Sequence, residues 1–197
     1  MKAYYDARAP EYDDWSLGTG LYAERIRPGW DKELAGLAQA IRQLPAARTL
    51  DVACGTGFLT RHLRGEIVGL DASDQMLEIA RQRVPDGEFL AGDALDLPFA
   101  DDSFDRVFTG HFYGHLETPE RELFLAEARR VARELVIVDS SAGHSPVAEE
   151  FQPRVLKDGS HWEVYKRYFS GAELVEELGD GDLLFEGHWF VVVRSSA

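Results

Sequence analysis

The stretch Thr49 to Thr60, TLDVACGTGFLT, limits the possible folds more than any other part of the chain. Leu50 and Val52 suit a strand covered on both faces within a parallel sheet. Gly55 and Gly57 let the backbone turn sharply and come close to a ligand without a side chain in the way. Phe58, Leu59 and His62 then begin a helical spacing, so the unit reads as strand, glycine turn and helix, with free N–H groups facing whatever lies above the strand. A dinucleotide fingerprint needs a third glycine three positions after Gly57, where Thr60 stands, so the pattern is incomplete for a nicotinamide site.

Two further strand-like stretches end in acids. Glu66 to Asp71 closes on a carboxylate twenty residues after Asp51. Asp71 can accept both hydroxyls of a ribose or cap the next helix, a job that Ser73 can also do alone. Phe89 to Ala94 is a third strand running into Gly92-Asp93-Ala94. Asp51 followed by A-x-G-x-G, with these acids behind it, resembles motif I and its neighbours in the class I S-adenosylmethionine-dependent methyltransferases, with Ala53 standing where that motif has its first glycine. The resemblance implies a Rossmann-like α/β sandwich whose seven-stranded, mostly parallel sheet is finished by an antiparallel C-terminal hairpin. It implies S-adenosyl-L-methionine as cofactor, with S-adenosyl-L-homocysteine as product. By the same resemblance Asp51, Ala53, Gly55, Gly57, Asp71, Ala72, Met76, Asp93, Ala94 and Thr109 belong to the cofactor site, Asp71 at the ribose and Asp93 and Ala94 at the adenine.

The rest of the chain fits one such domain of 197 residues, with an N-terminal lid and helices over 1–44, a cofactor-binding core over 48–140, an acceptor-covering insertion over 141–170, and a helix and hairpin over 171–197. The opening YYDARAPEYDDW is rich in aromatics and resembles the lid of small-molecule methyltransferases. Tyr5 and Tyr12 are then candidate cofactor contacts and Tyr22 a candidate acceptor contact, or all three simply pack the lid onto the body. Asp31 to Leu44 has helical spacing and stops at Pro45. Glu134 to Asp139 is nearly all apolar, as a central parallel strand should be, and Asp182–Phe185 and His188–Arg194 stand so close that they must pair antiparallel. The single Cys54 has no disulfide partner, and no N-terminal apolar stretch resembles a signal peptide or span, so a cytoplasmic protein is expected. A net charge of −14 disfavours nucleic acid and membrane partners. A monomer or homodimer is expected.

Two stretches bear on the methyl acceptor, and both lie where an open parallel sheet places its ligand. The loop after the fourth strand, Thr109 to Leu116, holds His111, Tyr113 and His115; either histidine can serve as catalytic base or as hydrogen-bond donor, with His115 preferred for an acceptor contact. The [Asp/Asn]-Pro-Pro-[Tyr/Phe] motif of DNA and protein-amide methyltransferases is missing from this loop, and no acidic metal cluster follows the strand, so base methylation and metal-dependent transfer are disfavoured. Arg154 to Ser170 concentrates cations in an acidic chain. A turn at Asp158-Gly159 would fold Arg154 and Lys166 toward each other to hold an oxyanion, or the cations are a solvated face. Ala53, His111-Phe112 with His115, and the run from Arg154 through Asp158-Gly159 to a lysine together resemble a narrower group that includes phosphonate O-methyltransferases. The readings are O-methylation of a small phosphonate or carboxylate, N- or C-methylation of a neutral metabolite, or a cofactor-binding module without transfer activity.

Overall fold

The computed structural model describes residues 2–196. The N-terminal segment forms two short helices, α1 (Lys2–Arg8) and α2 (Asp14–Leu17), before the longer α3 (Trp30–Gln43), which ends one residue ahead of Leu44-Pro45. Strand and helix then alternate through β1 (Ala47–Val52), β2 (Gly65–Asp71), α4 (Asp74–Arg83), β3 (Glu88–Ala91), β4 (Phe104–Gly110), α5 (Thr118–Val131) and β5 (Ala132–Ser140). A hairpin of β6 (Glu149–Val155) and β7 (His161–Arg167) follows, then α6 (Gly171–Glu177), β8 (Asp182–Glu186) and β9 (Phe190–Ser196).

The main sheet has the order β3-β2-β1-β4-β5-β9-β8. The first five strands are mutually parallel, and β9 enters antiparallel between β5 and β8. This is the expected architecture, and its physical basis is side-chain alternation. Leu135 and Ile137 of β5 go to one face, with Phe124 and Ala128 of α5 and Leu174 of α6, while Val136 and Val138 go to the other, with Leu37 and Ile41 of α3. Both faces are covered, so a continuous apolar run reads as a central strand. Strand order reverses between β1 and β4, which opens a crevice above their carboxyl ends.

One element differs from the sequence expectation. The glycine turn leads only into a single 3-10 turn, Thr60–His62, before β2 begins at Gly65. Ala53, Gly55 and Gly57 all take positive φ, at 56°, 54° and 72°, and between Gly57 and β2 only Thr60–His62 close into a turn. The argument from a helix N-terminus above β1 therefore falls away. The helix that does pack here is α4, and Gly57 admits it: a Cβ on Gly57 would stand 3.3 Å from the Cα of Ala80. The β6–β7 hairpin stands apart from the main sheet as a two-stranded ribbon.

Candidate active site

Because β1, β2 and β3 are parallel neighbours, the acids at their ends lie side by side along one sheet edge. Asp51 is fully enclosed: Oδ2 accepts from the Thr60 hydroxyl at 2.6 Å, and Oδ1 is buried with no hydrogen-bond partner among the described residues. Burial pushes its pKa up to about 7, against the Thr60 hydrogen bond, which lowers it. Asp71 is half-buried and accepts from the backbone N–H of Gly55 at 2.8 Å and of Ser73 at 2.9 Å. Burial raises its pKa, and those two N–H groups oppose the rise. The cap of α4 is the Ser73 hydroxyl, which accepts from Met76 N–H, so Asp71 is not needed for that task.

The N-terminal segment roofs these loops. Lys2 Nζ donates to the carbonyl of Ala72 at 2.7 Å, the Ser73 hydroxyl to Asp6 at 2.6 Å, and the Thr56 hydroxyl to Asp13 at 2.6 Å, while Arg83 pairs with Asp13. The roof carries Tyr5 and Tyr12, whose rings are 6.4 Å apart, and Arg8, which lies 5.1 Å from the Tyr12 ring and donates to the Tyr4 hydroxyl. Burial raises both tyrosine pKa values, that of Tyr12 to about 12, so both hydroxyls stay protonated.

Beneath the roof is a cavity of about 380 Å³. Tyr5, Tyr12, Asp51, Ala53, His111, His115, Arg154 and Lys166 from the sequence reading all line it, joined by Arg8, Trp15, Gln152 and Tyr168. The remaining candidates lie elsewhere. Gly55 sits under Tyr12, where an added Cβ would be 3.6 Å from the ring. Ala72 is exposed with its carbonyl bound to Lys2, and Met76 is buried on the inner face of α4. Asp93 is exposed and closes its own turn by accepting from Leu95 N–H at 2.9 Å, with Ala94 half-buried against the core beside it. Thr109 is buried, its hydroxyl donating to the Val52 carbonyl at 2.8 Å, so it ties β4 to β1. Tyr22 stacks on Arg25 in the loop before α3 and does not line the cavity.

His111 holds φ at 58°, rare for a residue with a side chain. Its N–H donates to the Val138 carbonyl at 2.8 Å, its ring meets Trp15 edge-on at 5.4 Å, and its buried Nδ1 has no partner among the described residues. Burial lowers its pKa to about 4. His115 sits in the 3-10 turn after β4, with Nδ1 2.7 Å from the Tyr165 carbonyl. A carbonyl only accepts, so Nδ1 carries the proton and Nε2 keeps its lone pair. Burial, helped by Lys166, lowers its pKa to about 3. Both rings are neutral at physiological pH.

The hairpin corrects one expectation. Arg154 and Lys166 share a face, but the register sets Trp162 opposite Arg154 and Glu150 opposite Lys166, so the turn does not fold the two cations together. Lys166 is committed elsewhere: Nζ lies 2.5 Å from Asp139, and both side chains are buried. Asp139 also accepts from the N–H groups of Gly114 at 2.8 Å and Ser140 at 2.7 Å. Burial, the largest single influence, raises the Asp139 pKa, and the Lys166 charge and hydrogen bond together with His111 and His115 hold the carboxyl below its ordinary value. Arg154 has no carboxylate partner among the described residues, and its Nε is buried and unpartnered. Three atoms on the cavity wall thus lack partners among the described residues: Asp51 Oδ1, His111 Nδ1 and Arg154 Nε. Buried polar atoms of this kind are costly unless a ligand satisfies them. Sequence reasoning missed Arg8, Thr60, Gln152, Tyr168 and the Asp139 carboxylate; of these only Arg8, framed by paired tyrosines, and Asp139, an acid closing an apolar strand, left a local trace.

Residues 50–137 match the family described as a methyltransferase domain. The demethylmenaquinone methyltransferase of Thermotoga maritima is 41% identical over 66% of this chain and 55% of its own length. The 2-phytyl-1,4-naphtoquinone methyltransferase of Synechococcus elongatus is 30% identical over 77% of this chain and 68% of its own length. The chain spans little more than half the length of the first curated relatives it matches. Among solved structures, the DhpI–SAM–HEP complex is 28% identical with a TM-score of 0.73, covering 98% of this chain and 94% of that one.

Proposed function

Because the chain belongs to the class I S-adenosylmethionine-dependent methyltransferases, we propose that it methylates an oxygen of a small anionic metabolite, a carboxylate or phosphonate, held against Arg154. The observation that carries this reading is the Arg154 guanidinium: it lines the cavity with a buried, unpartnered Nε, in a chain of net charge −14. An oxyanion is the ligand that satisfies such a group best.

The residues under the roof fit the cofactor. Asp51 Oδ1 is a buried acceptor without a donor, suited to an ammonium, and Arg8 is a guanidinium without a carboxylate among the described residues, suited to an amino-acid carboxylate. Tyr5 and Tyr12 supply hydroxyl donors beside them, and Asp71, held by the glycine turn, keeps lone pairs for a ribose. When bound, S-adenosylmethionine supplies an electrophilic methyl group on a sulfonium. The chain's own work is placement. Arg154 orients the acceptor oxygen, and residues 2–15 exclude water that would otherwise solvate the charges. An acceptor that arrives as an anion has no proton to lose, so His115 then acts as a neutral contact rather than a base.

The test is mass-resolved methyl transfer with a panel of small phosphonates, carboxylates, phenols, quinols and amines. A methylated acid is expected, with kcat/KM falling about 10- to 100-fold in Arg154→Ala, the range of a lost hydrogen bond to a charged group. Acid methylation indifferent to Arg154 overturns the oxyanion site. The names of the quinone-directed relatives and the aromatic wall of Trp15, Trp30 and Trp189 favour a second reading, carbon methylation of a quinol, with His115 Nε2 as base. A quinol gaining mass while every acid stays unchanged selects that reading.

A further inference from the structure

The inner face of the β6–β7 hairpin carries a run of polar side chains of which the roles above use only Arg154. Glu150, Gln152 and Arg154 alternate along β6 and so point the same way, and Tyr168 follows β7. The Tyr168 hydroxyl donates to Glu150 Oε1 at 2.8 Å, and Gln152 Nε2 donates to the same Glu150 oxygen at 2.7 Å and to the Tyr168 hydroxyl at 2.5 Å. These contacts fix the sense of the amide. Its NH2 must face the carboxylate, so Oε1 must face the other way, where it accepts from Arg154 Nη2.

The arrangement answers a question the ion pairs pose. Arg154 and Glu150 share a face of one strand and have opposite charges, yet they do not pair. Gln152 stands between them, satisfying the carboxylate with one end and the guanidinium with the other. The second cation on this face, Lys166, lies opposite Glu150 in register but is taken by Asp139. Glu150 is therefore occupied by neutral donors alone, and Arg154 is left charged and directed at the cavity.

We infer that Gln152 is a positioning residue that keeps Arg154 away from Glu150 and so sets acceptor affinity, an inference that rests on the oxyanion reading above. Without the amide, the guanidinium has an acid within its own face to turn to, and the anion site loses its charge. A neutral spacer is required for this task. Leucine at 152 cannot hold either neighbour, and the resulting defect should be relieved by removing the Glu150 charge.

The experiment is calorimetric titration of the full chain with methylphosphonate and, separately, acetate as probes, with S-adenosylhomocysteine affinity measured alongside. The protein is expected to bind at least one probe, and Arg154→Ala to abolish that binding. Gln152→Leu is expected to weaken it at least about tenfold, and Gln152→Leu with Glu150→Gln to recover most of the loss, all with S-adenosylhomocysteine affinity unchanged. Recovery on removing a neighbouring charge is a result that a purely structural role for Gln152 does not produce. If Arg154→Ala abolishes binding while Gln152→Leu leaves it intact, or if Glu150→Gln restores nothing, the inference fails and the oxyanion reading stands. If neither probe binds, or Arg154→Ala binds like the parent, both fall.

Discussion

Replacing Lys166 with methionine keeps the aliphatic stem and removes the ammonium from the Asp139 pair. The two side chains are 5% and 0% exposed, so solvent screens neither, and breaking a buried pair of this kind costs about 3–5 kcal/mol. The N–H groups of Gly114 and Ser140 stay on the carboxylate, which argues for the lower end, about 3 kcal/mol. The loss should depend on pH, with a definite sign. In the parent the folded pKa of Asp139 lies below its unfolded value, so the pair contributes stability above about pH 4 that is lost as pH falls through the folded value. In Lys166→Met burial acts without the lysine, the folded pKa rises above the unfolded one, and ionising the carboxyl costs stability as pH climbs from about 4. The gap between the two proteins should widen from pH 4 to pH 7. Urea unfolding of both at several pH values measures it, and other titrating groups cancel in the difference. Lys166→Met with Asp139→Leu should regain most of the stability. A gap below about 1 kcal/mol at pH 7, or the same at pH 4 and 7, refutes the reasoning.

Asp51 titrates in the opposite sense. Its folded pKa of about 7 exceeds the unfolded value, so the ionised carboxylate destabilises the ligand-free protein as pH rises from about 4 to 7, and Asp51→Asn should raise the melting temperature at pH 8 but not at pH 4. If Asp51 receives the cofactor ammonium, S-adenosylmethionine should bind about fourfold more tightly at pH 8 than at pH 6, the gain from Asp51 ionisation being offset in part by loss of the ligand's ammonium proton, and Asp51→Asn should remove that rise in calorimetry. Ala53→Gly removes a Cβ from a residue at φ 56° and should stabilise the chain by up to about 1 kcal/mol in chemical denaturation, after the larger entropy loss of glycine is set against the relief. No change, or a loss, would mean that the surrounding turn carries no strain at this position.

The sheet was legible because its signals are local. Apolar runs such as Leu135 to Val138 mark strands covered on both faces, and the short spacing between the last two strands leaves only an antiparallel return. The acids at the ends of the first three strands were legible for the same reason. What failed depended on register and on distant partners. The shared face of Arg154 and Lys166 follows from parity, but that Lys166 would find an acid on β5 is a fact of docking between two sheets. The helix expected after Gly57 had the right apolar spacing, yet the segment before β2 holds only the 3-10 turn Thr60–His62. Tyr22 shows the limit of composition: it follows the aromatic stretch of residues 4–15 and still turns away from the cavity, onto Arg25.

The roof over the glycine turn has a kinetic corollary. Its fastenings to the glycine turn and the head of α4, Lys2 to Ala72, Asp6 to Ser73 and Asp13 to Thr56 and Arg83, are hydrogen bonds and ion pairs, while Tyr4 of the same segment packs on Leu156, Val164 and Trp162 of the hairpin. The polar contacts release more readily than the buried Tyr4 packing, so the segment can lift from the glycine turn while Tyr4 stays seated. A ligand sealed beneath them enters and leaves only while they are undone, so its observed association rate must level off with concentration at the rate of roof opening. Residues 2–13 then act as a clock on exchange, and their ionic fastenings make that clock run faster as salt is added.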